Sequence, residues 1–137
     1  MKYYIITYLL ILCCFFFSCS DKETPCGKIN CSGTEKPVSI ITVNDKGEPV
    51  EAASVEIENT RTGKKYKYPE IRPLVLSSSV SYLIFIAPEQ FSGEGDLVVV
   101  SITSKSGKVY NKNITIKGGY CTCEIQKVSG PDLIIID

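Results

Sequence analysis

The sequence predicts an all-β protein, a single β-sandwich of about eight strands. Three observations predict it. Short segments rich in Val, Ile, Thr and Tyr recur at intervals of roughly ten residues. Turn-forming residues separate them, as in Asn44-Asp45-Lys46-Gly47, Thr62-Gly63, Ser104-Lys105-Ser106-Gly107 and Gly118-Gly119. No stretch after residue 18 carries a sustained helical period. The chain divides into three parts: residues 1–18, a polar connection over residues 19–36, and the sandwich over residues 37–137.

The N-terminal part reads as a helical signal peptide. Lys2 and the terminal amine supply a positive end, and residues 3–17 form an apolar run of about fifteen residues, short of the twenty or so that span a bilayer. Asp21-Lys22-Glu23, Pro25 and Gly27 stop the run from extending. An uncleaved anchor helix is the competing reading of the same run.

Phe16-Phe17-Ser18-Cys19 closes it. This pattern resembles the lipobox of bacterial lipoproteins, although Phe16 stands where Leu is usual and Phe17 is bulky. The resemblance implies cleavage before Cys19, a diacylglyceryl group on its sulfur and usually acylation of the new amino group. Cys19-Ser20-Asp21-Lys22-Glu23 is similar to the acidic tag that directs some outer-membrane lipoproteins to the cell surface. The location so implied is the outer membrane, lipid-anchored and exposed at the surface, with the periplasmic face as the other option. Each buried methylene contributes about 0.8 kcal/mol, so several chains on one cysteine make release negligible. The plainer reading of Cys19 is an ordinary cysteine beside a standard cleavage site, but no A-x-A-like pattern precedes it.

Removing residues 1–18 from 137 leaves 119, enough for one domain with a modest core. Losing Lys2 leaves 14 of the 15 basic residues against 15 acidic ones. A balance so close to zero argues against nucleic acid as a partner.

Cys13 and Cys14 leave with the signal peptide, and Cys19 takes lipid. Cys26, Cys31, Cys121 and Cys123 remain, an even set in an exported chain, which reads as two disulfides. Residues 120–128 read as a strand on which Cys121 and Cys123 share a face. Pairing each with Cys26 or Cys31 closes loops of about ninety residues, worth roughly 4 kcal/mol apiece and less where the loops overlap. Three connectivities are open. The same four cysteines admit a four-thiolate zinc site, but Cys121-x-Cys123 is tighter than the usual spacing. No other metal and no cofactor is implied.

Within the domain, residues 38–43 are β-branched and apolar, and residues 54–59 alternate, with Val55 and Ile57 on one face and Glu56 and Glu58 on the other. The stretch from Ile41 through Asp45-Lys46-Gly47-Glu48-Pro49 and Glu51-Ala52-Ala53 to Ile57 resembles the opening of carboxypeptidase regulatory-like domains. There a D-x-x-G-x-P turn and a small-residue step join the first two strands. The spacing here is one residue shorter. The resemblance covers about twenty residues; it implies an immunoglobulin-like or transthyretin-like sandwich and no activity.

Arg61-Thr62-Gly63-Lys64-Lys65-Tyr66-Lys67-Tyr68 is the one basic cluster. It reads either as a patch for an anionic ligand or as a hairpin turn followed by an edge strand whose lysines discourage aggregation. Pro69 and Pro73 predict an irregular connection over residues 68–74. Strands follow over residues 75–76 and 80–86, a Gly-containing loop over 89–96, a hairpin over 97–116, and a last strand over 133–136. That tail admits two readings, a strand of its own sandwich or an edge that pairs with a neighbour.

Catalysis is poorly supplied. With no histidine in the chain, Ser-His-Asp, Cys-His and His-metal chemistry are excluded. The enzyme branch of the transthyretin-like fold relies on histidines, so its activity is excluded too. Glu56 with Glu58, and Glu94 with Asp96, are carboxylate pairs of a kind any acidic surface offers. Asp45, Glu48, Glu94 and Asp96 are candidate calcium ligands without a D-x-D-x-D-G loop. The expectation is a non-enzymatic, lipid-anchored surface module that binds a glycan or protein through residues 68–74 and 89–96. A structural subunit that assembles by strand pairing is the alternative, and a zinc or redox protein the outsider.

Overall fold

The computed structural model describes residues 36–137; residues 1–35, which hold the expected signal peptide together with Cys19, Cys26 and Cys31, lie outside the described residues. Among the described residues nine strands form two sheets. One has the order β4 (Ile71–Leu76), β5 (Ser79–Ile84), β1 (Val38–Val43), β9 (Leu133–Ile135). The other has the order β3 (Lys65–Tyr66), β2 (Ser54–Asn59), β6 (Asp96–Thr103), β7 (Val109–Lys117), β8 (Gln126–Ser129). The fold is all-β, a sandwich of four strands on five.

The period-two pattern decides which side chains meet between the sheets. Ile40 from β1, Val80, Tyr82 and Ile84 from β5, and Ile134 from β9 point inward from one sheet. Val55 and Ile57 from β2, Val98, Val100 and Ile102 from β6, and Ile114 and Ile116 from β7 meet them from the other. Burying each such side chain is worth roughly 1.5–3 kcal/mol. On the solvent side of β2, Glu56 and Glu58 both pair with Lys65 of β3, at 3.1 and 3.3 Å.

The β1–β2 connection uses the motif noted in the sequence. Asn44 Oδ1 accepts from the Lys46 and Glu48 amides at 3.0 and 2.9 Å, and Gly47 takes φ +79°, a conformation open chiefly to glycine. Val43 then bridges Pro49, and the Thr42 hydroxyl donates to the Val50 carbonyl.

Two expectations need correction. Residues 68–74 are not wholly irregular: β4 starts at Ile71 and pairs with β5 along its whole length, Pro73 opposite Tyr82. Proline fits because β4 is an outer strand, where a missing N–H breaks no central ladder. Residues 120–128 are not one strand: residues 120–125 form turns and bends, and β8 begins only at Gln126. Cys121 and Cys123 therefore sit in a loop, and the shared strand face does not exist. The tail is an intramolecular strand. It runs parallel to β1, with Ile41 opposite Leu133 and Val43 opposite Ile135.

Candidate functional site

The two segments expected to contact a ligand have different fates. Residues 89–96 fold into a knot of mutually engaged groups. The 3-10 helix Pro88–Gln90 delivers Phe91 into the core, 2% exposed, with its ring 6.4 Å from that of Tyr66. Asp96 is not a loop residue but the first of β6, and it is buried. Its carboxylate accepts from Arg61 Nε and Nη2 at 2.6 and 2.9 Å, from Asn59 Nδ2 at 2.7 Å and from the Ser92 amide at 3.1 Å. The Arg61 guanidinium, aided by Asn59 and the Ser92 amide, outweighs burial and holds the Asp96 carboxyl at about 2. Asn59 Oδ1 in turn accepts from the Arg61 and Thr62 amides, which shapes the β2–β3 hairpin. Gly118 closes the knot: a Cβ there would meet the Pro88 carbonyl oxygen at 2.3 Å.

The basic cluster dissolves in this arrangement. Arg61 belongs to Asp96, Lys64 reaches Gln90 Oε1 at 2.7 Å, and Lys65 bridges Glu56 and Glu58. Its lysines line the short outer strand β3 and its hairpin, as the edge-strand reading expects. Among its four cations only Lys67 makes no side-chain hydrogen bond or ion pair among the described residues.

Residues 67–73 do the opposite of the knot. They carry the chain from β3 in one sheet to β4 in the other, and beside them opens a groove of about 330 Å³. Its floor is Ala52, Val55, Ile71 and Tyr82, and Lys67 and Tyr68 stand at its rim. The crossing is anchored at both ends by side chains of the core, Tyr66 at 5% and Ile71 at 3% exposed. Its turn is closed by the Glu70 and Ile71 amides, both donating to the Lys67 carbonyl at 2.8 and 3.1 Å. Between these anchors Tyr68 is 76% exposed, the highest figure for any large apolar side chain among the described residues. The floor is already satisfied: the Ala52 amide donates to the Tyr82 hydroxyl at 2.7 Å, and burial raises the Tyr82 phenol above its ordinary range. At the rim, Lys105 neutralises Glu51 at 2.8 Å.

Cys121 and Cys123 are disulfide-bonded. Neither sulfur is a free thiolate of the kind a zinc site requires. Cys123 lines a small cleft with Lys36 and Pro37, where the described chain begins. Among the described residues no group of three or more Cys, Asp or Glu is placed to hold a metal ion, so Asp45, Glu48, Glu94 and Asp96 do not converge. Glu48 instead accepts from Asn44 at 2.8 Å. Glu56 and Glu58 share one lysine on an open face.

The sequence missed the Asp96–Arg61–Asn59 knot, whose members are separated by 35 and 37 positions. The Asn59-Thr60-Arg61 run before a hairpin was the only hint. No family model, curated protein or solved structure matches the chain.

Proposed function

We propose that this protein is a non-enzymatic binding module of the bacterial cell envelope, held at the outer membrane by lipid on Cys19, which takes its ligand at the groove beside Tyr68. The observation that carries the binding reading is the contrast at residues 67–73: a largely exposed aromatic on a crossing whose two ends are fixed in the core. An exposed Tyr offers a large rigid contact face at small entropic cost when its backbone is already held. Lack of histidine in the sequence keeps the reading on the non-enzymatic side. The lipobox resemblance supplies the anchor. Two disulfides between the Cys26 and Cys31 pair and the Cys121 and Cys123 pair would shorten the path from lipid to domain.

The test uses full-length protein extracted from membranes. Its intact N-terminal mass is expected to show a lipidated Cys19; an unmodified end beginning elsewhere removes the anchor. The same protein is offered to immobilised envelope polysaccharides and envelope proteins. Retention that Tyr68→Ala abolishes, with no change in melting temperature, supports the reading. Retention indifferent to Tyr68→Ala, or steady turnover of any substrate, overturns it.

A further inference from the structure

The groove's unengaged groups are few, and they select a ligand class. Tyr68 is largely exposed, and its hydroxyl makes no hydrogen bond among the described residues; the same holds for the Lys67 amine and the Ser54 hydroxyl. The set is thus one cation, two hydroxyls and one aromatic face. The neighbouring acid, Glu51, is neutralised by Lys105, and Glu70 follows in the turn without lining the groove.

An extended peptide would add to the β4 edge, but that edge is poor in donors. Pro73 has no N–H, and the Ile71 N–H already serves the Lys67 carbonyl at 3.1 Å. Strand addition needs a run of backbone donors and acceptors, which β4 does not offer over its first half. The groove's chemistry is carried by side chains instead. A pyranose ring answers each element of it. Its axial C–H face stacks on the negative face of an aromatic ring, its hydroxyls take the Ser54 and Tyr68 hydroxyls, and a ring carboxylate takes the ammonium of Lys67. A volume of about 330 Å³ lies at the small end of ligand sites, suited to one or two sugar rings.

We infer that the groove binds an acidic carbohydrate, a chain of uronic-acid type, with Tyr68 stacking on the ring and Lys67 pairing with its carboxylate. This rests on the binding reading above and names its ligand class.

The test is isothermal titration of the full-length protein in detergent with an oligouronate and with its carboxyl-reduced, neutral counterpart. The acidic sugar is expected to bind about tenfold more tightly, the scale of one charge-assisted contact. Lys67→Gln should remove that preference and leave the neutral sugar unchanged. Tyr68→Ala should weaken both by about tenfold or more, the scale of one lost stacking contact. With no tryptophan in the chain, quenching of tyrosine emission gives an independent readout that both Tyr68→Phe and Tyr68→Ala lose, while in the titration Tyr68→Phe keeps the stacking contact and Tyr68→Ala does not. Equal affinity for the two sugars overturns the acidic class while leaving a carbohydrate site at Tyr68. Binding that neither Lys67→Gln nor Tyr68→Ala alters overturns the site. Binding of neither sugar overturns the ligand class, and the binding-module reading then depends on the retention experiment.

Discussion

Residues 89–96 and residues 67–73 are both short charged connections, the first with two glycines and the second with two prolines, and both pass beside the same hairpin. In the first, Gln90, Ser92 and Asp96 have internal partners and the one large apolar side chain, Phe91, is in the core. In the second, the backbone is fixed while Tyr68 and Lys67 point outward unengaged. The difference teaches that composition marks a loop, while the bookkeeping of partners separates a loop that holds the fold from one that faces a ligand.

The comparison breaks most visibly at Phe91. Phe91→Ala should cost about 4 kcal/mol through lost burial and the cavity left behind, seen as a lowered denaturation midpoint. If instead it leaves the midpoint in place, residues 89–96 are not structural.

Asp96→Asn is next. It leaves Arg61 and the surrounding donors around a neutral amide, and an unfolding cost of about 2–3 kcal/mol at neutral pH is expected. The pH dependence has a definite sign. The folded carboxyl sits at about 2, below its ordinary 3.8. Its contribution is therefore present above about pH 4 and is lost as pH falls towards 2, on the order of 2 kcal/mol over that window. Acid titration of stability should lose this limb in Asp96→Asn.

Much of the fold was legible before any coordinates. β1 and β6 are legible as β-branched apolar runs, and β2 and β7 because their inward residues alternate with polar ones, as Val55 and Ile57 do with Glu56 and Glu58. β4 was hidden because Pro73 signals a break, and only its place at a sheet edge makes proline tolerable there. The strand expected across Cys121 and Cys123 failed because Gly118-Gly119 begins a turn that continues to residue 125. Asp96 read as a loop acid because its partner, Arg61, is on another strand pair far away in sequence. The Tyr68 crossing was legible as a connection, but its groove was not, since that depends on where two sheets separate.

Gly118→Ala should cost about 2 kcal/mol, because the added Cβ overlaps the Pro88 carbonyl and the knot must shift. Thermal unfolding checks it, and an unchanged melting temperature would mean that residues 88–96 move freely against residue 118.

Tyr68→Ala should change stability by less than about 0.5 kcal/mol, the range of exposed positions without internal partners. A larger loss in chemical denaturation would show that the crossing needs its aromatic for folding and would blur the comparison.

The most direct test puts Tyr68→Ala and Asp96→Asn side by side in full-length protein, below both melting temperatures, and measures retention on the immobilised ligand. The account predicts that Tyr68→Ala keeps wild-type stability and loses retention, while Asp96→Asn loses stability and, so long as it is folded, keeps retention. The reverse pattern, binding lost at Asp96 and preserved at Tyr68, would contradict it.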